Sequence, residues 1–117
     1  MSASEAPALS AVAFQLAAAL ESYSRNMRPL SGAGSFNPDL YRRVSQQMDE
    51  MRMYAADLPQ VSVAWVELLI RHFELTHGLW RVQGDGPEAA DLPQLHTQLQ
   101  EAVQRLSRRC AQLMPLA

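Results

Sequence analysis

Apolar residues recur at alternating spacings of three and four along most of the chain, and the recurrence stops where proline and glycine cluster. That spacing lays side chains along one face of an α-helix and does not suit a strand, whose period is two. The first run is Leu9, Ala13, Leu16, Leu20, Tyr23 and Met27. Pro7 suits only a first helical turn, where its missing N–H is not required, so a helix should begin just upstream with Ser2 or Ser4 as cap. Residues 29–36, PLSGAGSF, stack turn formers, which predicts a first helix over about residues 4–27.

Asn37-Pro38-Asp39 is a helix start: a capping amide, a proline pre-set for the first helical position, and an acid at the positive end of the macrodipole. A second helix is expected over 38–56, with Val44, Met48, Met51, Ala55 and Leu58 on its apolar side. The tetrapeptide Asp-Leu-Pro-Gln occurs at 57–60 and again at 91–94, and each copy should open a helix, giving a third over 59–82 and a fourth over 92–113. The 34-residue separation is the tetratricopeptide period, but the residues that pattern requires follow neither copy. The fourth helix carries a narrow seam of Leu95, Leu99, Ala102 or Val103, Leu106, Cys110 and Leu113.

Four helices joined by short connections favour an all-α, up-down-up-down antiparallel four-helix bundle, built as one domain over residues 1–117. A 48% apolar and 19% charged composition is enough to bury such a core without cross-links. The single cysteine rules out an intramolecular disulfide and fits a reducing cytoplasm. No basic region precedes the first apolar stretch, and Glu21 interrupts it too early for a bilayer span, so neither a signal peptide nor a membrane partner is expected. All ten basic residues are arginine, which suits a GC-rich bacterial genome. A formal net charge of −2 supplies no field for nucleic acid.

The third helix does not balance. Its polar residues, Glu67, Arg71, Glu74, Gly78 and Arg81, fill one strip, which predicts its solvent side, with ion pairs Glu67–Arg71 and Arg71–Glu74 along it. The apolar remainder spreads wider than the roughly 100° arc of a helix that packs one face on a core. A second copy of the chain is the simplest cover. Since aromatic and long aliphatic side chains dominate desolvated interface centres, the expected self-association surface is Trp65, Leu68, Leu75 and Leu79, with His72 as its polar member.

Several residues suggest chemistry, each against a plainer role. Glu74-Leu75-Thr76-His77 has the Glu-x-x-His spacing of carboxylate-bridged di-iron bundles, but a second such pair is missing. His72 lies among apolar neighbours and needs a hydrogen-bond partner, while His72 and His77 point about 140° apart and cannot clamp one ion. His96 falls on the polar side of its helix. Met48 and Met51 follow the core stripe, where gap filling is the natural job, whereas Met53 faces outward. Arg105, Arg108 and Arg109, like the pair Arg42 and Arg43, could meet phosphate, yet no aromatic residues interleave with them. Cys110 sits in a seam, where burial opposes thiolate formation. No catalytic grouping, cofactor motif or metal site is recognisable, so the expectation is a non-enzymatic, homodimeric interaction or accessory module of the bacterial cytoplasm, open to a protein partner. The rival is a small-molecule, haem or metal-binding bundle whose pocket uses the apolar surface around Trp65 and His72.

Overall fold

The Asn37 side chain caps the second helix as its position before Pro38 suggests. In the computed structural model, which describes residues 5–31, 37–82 and 92–114, its backbone is extended (φ −106°, ψ 105°) and its Oδ1 accepts from the N–H groups of Asp39 and Leu40, both at 3.1 Å. Helix α2, Pro38–Ala56, follows and buries Val44, Met48, Met51 and Ala55. It ends through N–H bonds from Asp57 to the Tyr54 carbonyl (3.1 Å) and from Leu58 to that of Ala55 (3.0 Å). A 3₁₀ turn, Pro59–Val61, then leads into α3, Ser62–Val82. The α-helix thus starts three residues after the expected Pro59. Leu58 and Val61, both buried, pin this corner into the core, and the Val61 N–H closes it on the Leu58 carbonyl at 3.0 Å.

Helix α1 spans Glu5–Ser31 and overruns its expected end through Pro29. Only two helical residues lie beyond that proline, so the lost ladder bond falls in the last turn, where Arg28 also meets the negative end of the macrodipole. Helix α4, Leu92–Gln112, stops one residue short of expectation, its end tightened by N–H bonds from Leu113 to the Cys110 carbonyl and from Met114 to that of Ala111. The capping residues expected at Ser2, Ser4 and Asp91 lie outside the described residues.

The chain is an all-α four-helix bundle. Helix α1 packs on α2 and α4, α3 packs chiefly on α4, and α2 and α3 touch only lightly. Contacts between Glu67 and Arg105, between Arg71 and Gln98, and between Gly78 and Leu95 run α3 antiparallel to α4. The stripes read from the sequence form the core: Ala13, Leu16, Leu20, Tyr23 and Met27 from α1 and Leu99, Ala102, Val103, Leu106 and Cys110 from α4 are all buried. No described helix is long and apolar enough to cross a membrane.

Candidate interaction face on the third helix

The five residues expected on an association surface are core residues of a single protomer. Trp65 is 8% exposed, Leu68 and Leu75 0%, His72 3% and Leu79 9%. The reason is rotational. The strip Glu67, Arg71, Glu74 and Gly78, expected to face solvent, borders α4 instead. Glu67 forms an ion pair with Arg105 of α4, not with Arg71. Arg71 keeps its expected partner Glu74 at 2.9 Å but also reaches Gln98 of α4 at 3.4 Å. Gly78 is buried against α4, and a Cβ there would lie 3.1 Å from Leu95 Cδ1 and 3.3 Å from Leu92 Cδ2. The glycine and the charges are therefore features of a helix–helix seam: the glycine allows close approach, and the charges close its rim.

With that strip against α4, a different apolar set faces outward. Val63 is 82% exposed, Val66 48%, Ile70 53% and Phe73 59%. These positions, continued by the exposed His77, repeat at spacings of three and four. They are the core stripe Trp65, Leu68, His72, Leu75 and Leu79 displaced by two residues. Two residues on an α-helix point roughly 160° apart, so α3 carries two apolar stripes on opposite sides. One is buried by α1 and α4; the other is open along much of the helix. Nothing in the sequence ranked the two, because both have helical spacing and both are apolar; the stripe rich in β-branched residues is the outer one.

His72 is the polar centre of the inner stripe, and the partner it needs comes from α1. The Tyr23 hydroxyl and His72 Nδ1 share a hydrogen bond at 2.7 Å, with the two rings 5.6 Å apart and tilted by 52°. Burial holds the imidazole neutral, with its pKa lowered to about 4, and pushes the Tyr23 phenol well above its ordinary value, so both groups of the pair stay uncharged. Thr76, also buried, satisfies its hydroxyl on the His72 carbonyl at 2.9 Å. Tyr23 was legible as a core residue but not as this partner.

The remaining candidates are scattered. Glu74 is exposed at the rim of the α4 seam and bound to Arg71, while His77 is exposed on the outer face of α3. Among the described residues no three His, Cys, Asp or Glu side chains converge as a metal site would need. His96 is half-buried on α4. Met27, Met48 and Met51 are buried and Met53 is 72% exposed, so the methionines of α2 divide between core and surface as their spacing implies. Cys110 is wholly buried, and its thiol pKa is raised to about 11. Of the three C-terminal arginines, Arg105 is held by Glu67 and Arg109 lies 3.5 Å from Gln112, while Arg108 has no ion pair among the described residues. Arg42 pairs with Asp39 at 3.6 Å. No protein-family model matches the sequence, and no curated protein or solved structure is significantly similar to it.

Proposed function

We propose that the protein is a non-catalytic interaction module of the bacterial cytoplasm that pairs with a second copy of itself through the outer face of α3. The observation that carries this reading is the exposure of Val63, Val66, Ile70 and Phe73 in an unbroken three-four repeat, the spacing at which one helix seats on another. Isolated exposed apolar side chains are ordinary on protein surfaces; a contiguous stripe of them marks a contact.

A second copy suits this face better than a charged partner does. The bordering charges are already compensated within the protomer, Glu67 by Arg105 and Glu74 by Arg71, so the rim offers little net field. A two-fold axis at Ile70 sets each stripe against its own reverse: Phe73 lies across from the smaller Val66, and His77 across from Val63. Large then meets small on either side of the axis, as packing to interior density requires. The non-catalytic part of the reading rests on the state of the reactive groups. Cys110 is buried with its thiol pushed up, and His72 is tied to Tyr23, which leaves neither poised as nucleophile or base.

Light scattering during size-exclusion chromatography tests the proposal. The wild-type chain should run at twice 13.0 kDa, and the double variant Ile70→Glu, Phe73→Glu should run as a monomer with its helical circular dichroism intact. A monomeric wild type, or a double variant that remains dimeric, would refute it.

A further inference from the structure

The face of the bundle between α1 and α2 holds a groove of about 330 Å³, at the lower end of the range for small-molecule sites. Ala18 and Ala19 line it with methyl groups alone, which leaves its middle open. Phe14, 65% exposed, stands at one end, and Tyr54 of α2 lines the groove with it. Ser22 follows Phe14 by eight residues, roughly 12 Å along a helix axis, and marks the other end. There Gln47 of α2 gives its Nε2 donor to Ser22 Oγ at 2.8 Å, while its Oε1 accepts from Asn26 Nδ2 at 3.0 Å, so this end is tied across the two helices.

Among the described residues that line the groove, Glu50 alone is charged. It lies between Gln47 and Tyr54 on α2, and its Oε1 accepts from the Tyr54 hydroxyl at 3.2 Å. The phenol positions the carboxylate without neutralising it. Glu21, Asp39, Asp49, Glu67 and Glu74 each pair with an arginine, whereas Glu50 has no ion pair among the described residues. Glu50 precedes Tyr54 by four residues, roughly 6 Å along the axis, so the groove sets a fixed negative charge about one helical turn from an aromatic end.

The geometry points to a binding site for a small arylalkylammonium ion. The aromatic ring packs at the Phe14 and Tyr54 end above the alanines, and the ammonium group, a short carbon chain away, gives an N–H to Glu50. An anion in the same place would meet the Glu50 charge with no cation beside it. This site uses no residue of the outer face of α3 and is independent of the self-association proposed above.

An NMR titration of backbone amide shifts at neutral pH tests it, with phenethylamine as the probe and phenethyl alcohol, hydrocinnamate and ethylamine for comparison. Phenethylamine should move the amides around Ala18 and Glu50 and bind about fivefold more tightly than phenethyl alcohol, the worth of one well-placed exposed ion pair. Hydrocinnamate, with the opposite charge, and ethylamine, without the ring, should both bind more weakly than phenethylamine. Glu50→Gln and Phe14→Ala fall at exposed positions and should leave the helical circular dichroism intact. The first should bring phenethylamine down to the alcohol level and leave the alcohol unchanged; the second should weaken both. Equal affinity for amine and alcohol, hydrocinnamate or ethylamine binding as tight as phenethylamine, indifference to Glu50→Gln, or shifts centred away from the groove would each overturn the assignment.

Discussion

His72 shows how a polar residue is accommodated in the middle of this core. A buried imidazole without a partner would cost roughly 1–3 kcal/mol by analogy with other orphaned polar groups; the Tyr23 hydroxyl at 2.7 Å removes that cost, and burial penalises the charged form of the ring. The sign of the pH dependence follows. The folded-state pKa, lowered to about 4, lies below the ordinary 6.5, so the unfolded chain binds the proton more readily. The stabilisation is complete above pH 6.5 and is lost as pH falls toward 4, by about 3 kcal/mol in total. Urea unfolding of the wild type and His72→Gln across that window should show the wild type losing stability more steeply on acidification, whatever the variant's absolute stability. Parallel pH profiles would contradict the buried, neutral imidazole. At this scale the sequence was half legible. Apolar neighbours marked His72 as needing a partner, but Tyr23 lies 49 residues away, and only the seating of α1 against α3 brings the two together.

At the scale of the element, α3 is a helix with two apolar sides and a seam between them. The Asn37 cap, the Pro59 corner and the stripes of α1, α2 and α4 were readable because each rests on local chemistry or on a single apolar face. The orientation of α3 was not readable from polarity, since its charges and glycine serve the α4 contact. Interface composition then pointed to Trp65 and its neighbours, although large aromatic and aliphatic side chains fill cores for the same physical reason. Two expectations separate the stripes. Leu68→Glu with Leu75→Glu puts two charges into fully buried positions and should abolish the cooperative thermal transition, whereas Ile70→Glu with Phe73→Glu should keep a cooperative transition, lowered only by the stabilisation that pairing supplies. Gly78→Leu should drive α3 from α4, because a Cβ alone already comes within 3.1 Å of Leu95. Overpacking costs about 1–3 kcal/mol, and the gain in helix propensity returns at most about 1. Chemical denaturation should therefore show a net loss of roughly 1–2 kcal/mol; a more stable Gly78→Leu would contradict the close seam.

The whole molecule follows from helix count and punctuation, and its unfinished side follows from the contacts. Each helix is long enough to bury a stripe, and proline or glycine marks each break, so four helices and a bundle were legible before any coordinate. Which neighbours pack tightly was not, because helix pairing depends on side-chain fit at each seam. Helix α3 packs on α4 and only lightly on α2, which leaves its outer stripe at the edge of the bundle, and the central claim is that a second copy meets it there. Oxidative capture at position 70 tests that claim most directly, because a residue on a two-fold axis meets its own copy. The wild-type Cys110 is buried with a raised thiol pKa and stays out of the reaction, so Ile70→Cys adds one reactive thiol per chain. At low micromolar concentration Ile70→Cys should close rapidly into a disulfide-linked dimer, far faster than Arg43→Cys on the exposed side of α2. Equal, slow oxidation at the two positions would show that the outer stripe of α3 does not meet itself.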